Sequence, residues 1–472
     1  MLYSTTPQTG QVTQTQITKM NKYCAILLIS ILFASCQSIK ITESTDYSTY
    51  LRNGKLIIST DSLLKTKEII KKYHPNPFNS ISEADFDAHI KQVAKSFPSD
   101  PISETEYLYQ HRKAFDTLTY GDPHFLILPQ LRRYPEYKLK GKHIKVWPFK
   151  MICINDSLIV SESLNPQLQK GDLLLSINNR STKEIVKYTY HHRFMEATFT
   201  QAQNHFCFAP NYNIEFLRKG NKYKIKVAGV PLHKYHFKGE YFPEKIYDAY
   251  QTGYFGIHNF NNNKYMIKKL SKYIKKLQAK GYQNLVIDIR KNPGGRGDRF
   301  DELISLFCDK DTIDYQSECR VKVSKTTLDY GFPEDSLGKV CSIPESELIR
   351  KCPLQPENYP GKMNVYVLVS KFTASTASTF ANIIQYNKLG TLVGEPLAHN
   401  ALRYGEITTA KLSHSLMVLS TMEMDEYSNQ INGIIQPEIL IPYKADEYMN
   451  GGDPILKHTL EHIKSTSGLS AN

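Results

Sequence analysis

The chain has 472 residues, of which 41% are hydrophobic, 11% aromatic and 22% charged. This composition is typical of a globular protein and excludes a disordered, collagen-like or multi-span membrane chain. At about 100–200 residues per domain, the length indicates more than one domain. The formal net charge is +13, but the basic residues are dispersed and form no compact block, so no nucleic-acid partner is expected.

Residues 1–35 are expected to be a leader and signal peptide. After a polar stretch, Met20 and Lys22 form a basic start, and an apolar run then ends in small residues before Cys36. These are the parts of a secretory signal, and the run is too short for a membrane span, which needs about 20 apolar residues. The segment resembles the lipobox of bacterial lipoproteins. That resemblance implies translation from Met20, export to the periplasm or cell envelope, and a lipid anchor at Cys36.

The cysteines of the expected mature chain form no metal-binding pattern. They are Cys153, Cys207, Cys308, Cys319, Cys341 and Cys352. In an exported protein they can pair, but spacing alone does not choose the partners. Because no CxxC pair, His/Cys cluster with zinc spacing or nucleotide-binding loop occurs, neither a metal nor another cofactor is expected.

Helical periodicity dominates the first folded region, residues 36–128. From about residue 61 to 118, apolar residues recur at intervals of three and four, with one break at Pro75 and Pro77. The region ends in the turn Gly121-Asp122-Pro123-His124. The sequence therefore predicts an N-terminal helical domain.

The second region, residues 129–238, contains short alternating stretches that are typical of strands. Within it, the turn Gly171-Asp172 precedes the apolar stretch 173–177, which ends in Ile177-Asn178. This string resembles the core of PDZ domains, although any Gly-Asp turn before a buried strand has a similar pattern. We therefore expect a PDZ-like, strand-rich domain.

The third region, residues 239–472, alternates strands and helices. In chain order the pattern predicts a helix over 263–280, a strand over 284–290, a helix bearing Phe300, Leu303, Ile304 and Phe307, a strand over 365–369, and a helix from Ser375. This alternation predicts an α/β layer with a largely parallel sheet. In such sheets, ligands bind beyond the carboxyl ends of the strands, where the turns after both strands lie.

Ser375 is the candidate nucleophile, and its position allows two interpretations. A serine at the start of a helix often caps the free N–H groups, which is a structural role. The same N–H groups and the positive end of the helix dipole can instead stabilise the oxyanion of a tetrahedral intermediate. The turn with Gly294 and Gly295 follows the other strand, and glycine lets a backbone N–H approach a substrate. Alone, that turn would be only a tight turn.

Together, the two turns resemble those of the tail-specific (C-terminal processing) serine peptidases. The string Asp288-Ile289-Arg290-Lys291-Asn292-Pro293-Gly294-Gly295 resembles their D-L-R-x-N-x-G-G motif, and Thr373-Ala374-Ser375 with Leu392-Val393-Gly394-Glu395 resembles the nucleophile segment and the strand after it. The resemblance spans about residues 60–465 and implies a ClpP/crotonase-like layered β-α-β catalytic domain. It also implies a peptide or polypeptide substrate, acylation of Ser375, and an oxyanion hole formed by two of the N–H groups of Gly294, Gly295 and Thr376.

The general base departs from the best-known branch of this family, which uses a Ser/Lys dyad. Where that branch has its lysine this chain has Asn400, with His399 and Arg403 nearby, and arginine stays protonated. The chain is more similar to the tricorn-core-like bacterial branch, whose histidine base corresponds to His124. Histidine suits this role because its ordinary pKa is near neutrality. His399 is the alternative base, and a purely structural His124 is the other interpretation.

The third catalytic group also departs from the tricorn-like pattern. There a glutamate orients the histidine, and the matching residue here is Gln430, with Glu426 as the alternative. An amide can still hold a histidine ring by a hydrogen bond. The sequence thus leaves open a serine endopeptidase whose PDZ-like region binds an extended peptide, and a catalytically weakened, peptidase-like lipoprotein that only binds peptides. An esterase or amidase acting on small exported substrates is a third hypothesis.

Overall fold

The computed structural model describes most of the chain. The described residues are 39–41, 51–52, 55–102, 104–122, 124–129, 145–155, 157–189, 209–231, 234, 240–325, 327–328, 332–343, 351–398, 402–412, 415–450 and 452–467. The expected signal peptide, Cys36, Cys207 and the alternative base His399 lie outside these ranges.

Helices and strands alternate over much of the described chain. The helices are α1 (Thr60–Tyr73), α2 (Glu83–Ala94), α3 (Glu104–Gly121), α4 (Thr182–Thr189), α5 (Asn263–Ala279), α6 (Phe300–Ile304), α7 (Thr376–Tyr386), α8 (Ala445–Met449) and α9 (Pro454–Thr466). Among these helices, none combines the length and the apolar composition that a membrane span requires.

The strands form three large sheets and several short pairs. They are β1 (Ile39–Ile41), β2 (Leu51–Arg52), β3 (Lys55–Leu56), β4 (Leu126–Pro129), β5 (Lys145–Val146), β6 (Phe149–Ile154), β7 (Ser157–Ser163), β8 (Leu173–Ile177), β9 (Arg180–Ser181), β10 (Asn211–Arg218), β11 (Asn221–Ala228), β12 (Val230–Pro231), β13 (Glu244–Tyr247), β14 (Thr252–Gly256), β15 (Asn284–Asp288), β16 (Thr312–Asp314), β17 (Gln316–Lys322), β18 (Val340–Ser342), β19 (Lys351–Pro353), β20 (Asn364–Val369), β21 (Thr391–Gly394), β22 (Tyr404–Lys411), β23 (Ser415–Glu426) and β24 (Ile439–Leu440).

The N-terminal helical pattern is interrupted at two places, where the sequence predicts one. The predicted break separates α1 from α2, and the second break, between α2 and α3, contains Pro98 and Pro101. Proline lacks an N–H and disfavours helical backbone in the residue before it, so these prolines end the helical run. Ser59 and Ser82 begin α1 and α2 by accepting hydrogen bonds from backbone N–H groups in the first turn.

The central sheet has the strand order β13-β14-β15-β20-β21-β24, and it is parallel from β14 to β24. Every residue of β15 is buried, which is expected for a parallel strand covered on both faces. Helices α5, α6 and α7 share one core with it, and α9 covers the other face. The mixed α/β fold that the sequence predicts is therefore confirmed. Helix α6 is shorter than predicted, because it ends at Ile304 and Phe307 lies beyond it.

Two further sheets flank this layer. The sheet over residues 149–228 has the order β11-β10-β8-β7-β6, with β9 on β8, and the predicted strand after Gly171-Asp172 is its β8. The third sheet, which we call the bridging sheet, has the order β1-β22-β23-β17-β18, with β4 on β23.

The bridging sheet joins the N-terminal helices to the C-terminal half of the chain. Phe86 of α2 and Phe115 of α3 share a core with Met417 and Leu419 of β23. Strand β4 pairs antiparallel with the same strand β23. The turn that ends the N-terminal helical region, and with it His124, is thus held against β23.

Candidate active site

Hydrogen bonds join the turns after β15 and β20 at the carboxyl edge of the central sheet. Ser370 Oγ donates to the carbonyl of Arg290 at 2.7 Å, and the N–H of Ala374 donates to the carbonyl of Asn292 at 3.1 Å. Thr376 Oγ1, at the start of α7, donates to the carbonyl of Gly295 at 3.0 Å. The expectation that the two turns meet at this edge is confirmed.

Gly294 lets the two turns approach closely. Its φ is +98°, and a Cβ at this position would lie 2.7 Å from Ser375 Cβ and 3.1 Å from the backbone nitrogen of Thr376. Asn292 fixes this geometry because its buried side chain donates to the carbonyl of Ile257 at 2.9 Å and accepts the Gly294 N–H at 2.8 Å. Any larger residue at 294 would separate the glycine turn from the serine.

Ser375 has an unusual backbone conformation. Its φ of 52° and ψ of −130° are rarely adopted by residues other than glycine, and such strain costs about 1–3 kcal/mol. The side chain is partly exposed and makes no capping hydrogen bond to α7. Helix capping by its side chain therefore does not explain this serine.

The three expected oxyanion donors are not equivalent. The N–H of Gly294 is already donated to Asn292 Oδ1. The N–H of Gly295 has no acceptor among the described residues, and Thr376 opens α7, where an N–H has no partner within the helix. The two free donors thus belong to Gly295 and Thr376, one on each turn.

A buried ion pair stabilises the glycine turn. Arg290 contacts Asp288 at 2.6 Å, and its guanidinium also donates to both carboxylate oxygens of Asp453, at 2.7 and 2.8 Å. Burial disfavours the charge on Asp288, but Arg290 beside it lowers the pKa of that carboxyl to about 2. The aspartate and arginine of the motif therefore have a structural role, because they tie the turn to the start of α9.

Glu426, the last residue of β23, holds the helix that begins after Ser375. Its buried carboxylate accepts Thr379 Oγ1 at 2.8 Å and Asn382 Nδ2 at 3.1 Å. Burial raises the pKa of Glu426 to about 7, although the two donors act in the opposite direction. The contacts place Glu426 beside α7, one turn after Ser375.

His124 lies in a buried turn that packs against β23 near Ser420. Its backbone N–H donates to Asp122 Oδ1 at 2.8 Å, and its Nδ1 is 3.5 Å from the same oxygen. Within the described residues, neither ring nitrogen makes a hydrogen bond, and none joins His124 to Ser375. Gln430 is partly exposed and likewise has no hydrogen bond to a described residue. The structure thus brings together Ser375, Gly294, Gly295 and Thr376, with Glu426 behind them, but does not join His124 or Gln430 to that group.

Two residues of this site are not predicted from the sequence. Asn292 belongs to the motif, but its role in engaging the Gly294 N–H becomes visible only in the structure. Asp122 stands two residues before His124, and this Asp-x-His spacing is the pattern from which the contact could have been inferred.

A cavity of about 560 Å³ lies beside the glycine turn. Asn261 lines it, and a Cβ at Gly295 would lie 3.0 Å from Asn261 Oδ1. Tyr241 and Tyr265 also line the cavity and are 67% and 55% exposed. The site therefore continues into a pocket of amide and aromatic groups.

Three of the described cysteines, Cys308, Cys319 and Cys341, are free thiols. Searched over the described part of the chain, the structure shows no group of three or more His, Cys, Asp and Glu side chains arranged to hold a metal ion.

A strained serine beside free backbone N–H groups, at the carboxyl edge of a parallel sheet, is the arrangement that a serine-type hydrolase requires. Residues 251–440 match the family described as Peptidase family S41. This part of the chain is therefore a domain of the tail-specific S41 family of serine-type peptidases.

Solved structures of CPAF share the fold. The structure of mature CPAF complexed with lactacystin superposes with a TM-score of 0.62 at 13% sequence identity, covering 87% of this chain and 98% of that chain. Another structure of mature CPAF gives a TM-score of 0.61 at 13% identity, covering 87% and 97%. A CPAF point mutant gives 0.58 at 12% identity, covering 86% and 96%. At these identities, the likeness concerns the fold alone.

Proposed function

We propose that the chain is an endopeptidase that cleaves peptide bonds through an acyl-enzyme at Ser375. The observation that carries this proposal is the strained Ser375 packed against the Gly294–Gly295 turn, with one free N–H on each side. A strained conformation that makes no capping hydrogen bond is understandable if the hydroxyl must face a substrate.

The reaction follows from this geometry. Ser375 Oγ attacks the substrate carbonyl carbon while its proton passes to a histidine base, and the N–H groups of Gly295 and Thr376 bind the oxyanion. The C–N bond then breaks, and the base returns the proton to the leaving amine. Water hydrolyses the ester by the same steps and frees Ser375.

His124 is the base in this proposal. Its ring nitrogens are buried and make no hydrogen bond with any described residue, so the nitrogen that carries no hydrogen is available to accept a proton. Catalytic hydrogen bonds are often long or absent before substrate binds and tighten in the complex. We therefore expect His124 to reach Ser375 when a substrate occupies the site.

The cavity beside Gly295 is proposed to bind a substrate side chain next to the scissile bond. Its tyrosines offer apolar faces and its asparagines offer amide partners, which together suit a peptide. Tyr265→Ala should raise KM severalfold with little change in kcat, because Tyr265 is separated from the reacting atoms. Leu337→Ala, which removes an exposed apolar side chain outside the region over residues 129–238, is the control. A fall in kcat at unchanged KM would contradict this role.

Covalent labelling by a fluorophosphonate tests the nucleophile. Intact-mass measurement should show one adduct on the wild-type chain and none on Ser375→Ala, whereas the surface variant Ser465→Ala should label like wild type. An adduct that persists in Ser375→Ala would refute the assignment. Cleavage of a peptide library, compared with hydrolysis of small esters, then separates the peptidase from the esterase or amidase hypothesis.

The base has its own test. His124→Ala should lose nearly all peptide cleavage, with labelling slowed by about 100-fold or more, because general base catalysis contributes about 10²–10⁴-fold. His458→Ala, which removes an exposed histidine of α9, and Lys388→Ala should retain activity. Loss of activity in His399→Ala with full activity in His124→Ala would reassign the base to His399.

A peptide-binding protein without turnover is the second candidate function. The observation favouring it is that His124 makes no hydrogen bond to Ser375 in the described structure. In that case the chain should bind peptides, by strand addition to the strand-rich region over residues 129–238 or within the cavity, while Ser375 resists the fluorophosphonate. Rapid labelling of Ser375 together with peptide cleavage would exclude this alternative.

We also propose that the protein is exported and anchored by a lipid on Cys36, as the segment before Cys36 supports. Cys36→Ser should release the protein from the membrane fraction. Continued membrane fractionation of Cys36→Ser would count against acylation at this residue.

A further inference from the structure

The turn that carries His124 contains a buried carboxylate without a role in the chemistry described so far. Asp122 is 3% exposed, and its Oδ1 lies 3.5 Å from His124 Nδ1. The same oxygen accepts the backbone N–H of His124 at 2.8 Å, so carboxylate and imidazole belong to one tight turn. This distance needs only a small rotation of the ring to become a hydrogen bond.

The other partners of Asp122 are fixed donors. Ser420 of β23 donates its Oγ–H to Oδ1 at 3.1 Å and its N–H to Oδ2 at 3.3 Å. His74 Nε2 lies 3.1 Å from Oδ2. Because His74 Nδ1 accepts the N–H of Asn76 at 3.0 Å, Nε2 must carry the hydrogen and donate it to Asp122. The carboxylate is therefore held in place on three sides.

Asp122 is arranged to remain charged. Burial disfavours ionisation, but the rings of His124 and His74 beside the carboxylate hold the pKa of Asp122 well below its usual range. A buried carboxylate that stays ionised is a counter-charge for a neighbouring cation. The neighbour that can become a cation during the reaction is His124.

Glu426 and Gln430, which the sequence suggests as partners of the histidine, make no hydrogen bond to its ring. Glu426 is engaged with Thr379 and Asn382 of α7, and Gln430 has no hydrogen bond to a described residue. Both ring nitrogens of His124 are buried without a partner, and such orphaned polar atoms are rare in folded proteins. Nδ1 faces Asp122, which leaves Nε2 for the proton of the nucleophile.

We propose that Asp122, in place of Gln430 or Glu426, is the positioning residue for His124. It orients the ring through Nδ1 and balances the positive charge that forms when the Oγ–H bond of Ser375 breaks and an N–H bond forms at Nε2. Asp122 itself does not take the proton. This inference rests on the proposed role of His124 as the base.

A double-mutant cycle in the full chain tests the proposal. Asp122→Asn keeps the shape and removes the charge, and it should slow fluorophosphonate labelling of Ser375 by about 100-fold. In a His124→Ala background the same substitution should cause no further loss, because Asp122 acts through the ring. Asp172→Asn, which alters another buried aspartate, bonded to Arg218, is the matched control and should label normally.

Two further measurements separate positioning from folding. Exchange of the His124 C2 hydrogen for deuterium, followed by mass spectrometry, should change in Asp122→Asn and not in Asp172→Asn. If Asp122→Asn does not fold, Ser420→Ala, which loosens the carboxylate but leaves its charge, should slow labelling severalfold in the wild-type background only.

The outcomes distinguish this inference from the proposed function. Losses that multiply in the double variant would overturn the inference, because Asp122 would then act independently of His124. Wild-type labelling in His124→Ala would refute the base, and the deuterium exchange would then decide about Asp122. A changed exchange rate would still support the inference that Asp122 orients the His124 ring. An unchanged exchange rate would overturn that inference.

Discussion

Glu426→Gln should stabilise the protein increasingly as the pH rises from about 4.5 to about 7. The side chain is 7% exposed, and burial raises the pKa of Glu426 from 4.5 to about 7. Between these values the folded chain holds a proton that the unfolded chain has released, so the wild-type free energy of unfolding falls as the pH rises. At about 1.36 kcal/mol per pKa unit, the penalty reaches about 3 kcal/mol and is constant above about pH 7.

Glutamine removes the titration and keeps the shape. Its carbonyl can accept Asn382 Nδ2 while its amide donates to Thr379 Oγ1, so both contacts with α7 have replacements. Urea unfolding followed by circular dichroism, at several values from about pH 4.5 to about pH 8, gives the difference between variant and wild type. Glu357→Gln, which alters an exposed glutamate, is the control and should show a constant difference. A difference for Glu426→Gln that is equally constant would refute the reasoning.

Three other substitutions test the geometry of the site. Gly294→Ala should slow Ser375 labelling by about 100-fold, the size expected for a displacement of about 1 Å, whereas Gly281→Ala, also at positive φ but with open space around it, should label normally. Equal labelling of the two variants would contradict the close approach. Ser375→Gly should exceed Ser375→Ala in free energy of unfolding by about 1 kcal/mol, because glycine adopts the positive φ without strain, and a lower value would show that the turn is relaxed. Arg290→Met leaves Asp288 buried without its partner and should cost about 3–5 kcal/mol in chemical unfolding; a loss below about 1 kcal/mol would show that the ion pair does not support the turn.

The sequence predicts the part of the site that depends on local pattern. The stretch 284–290 and the stretch 365–369 are apolar and are followed by glycine and by serine turns, so a parallel arrangement brings these turns to one edge. The structure has β15 and β20 adjacent and in parallel register, which confirms that inference. The strained φ of Ser375 is not predictable from the residue type, because serine rarely adopts a positive φ.

The contacts of His124 and Glu426 depend on long-range packing that no local pattern contains. Asp122 and His124 are neighbours in the sequence, but Ser420, which holds Asp122, is far along the chain on β23. The same strand ends at Glu426, which contacts α7 through Thr379 and Asn382. Hydrophobic periodicity predicts neither the contact of β23 with the N-terminal helices nor its contact with α7.

The backbone of Ser375 also limits how this site can evolve. A β-branched threonine would be disfavoured at this positive φ, so the backbone opposes a change from serine to threonine. Glycine would relieve the strain. A descendant that kept only peptide binding would therefore gain stability by replacing this serine with glycine. For a protein that only binds peptides, serine at position 375 is therefore less stabilising than glycine.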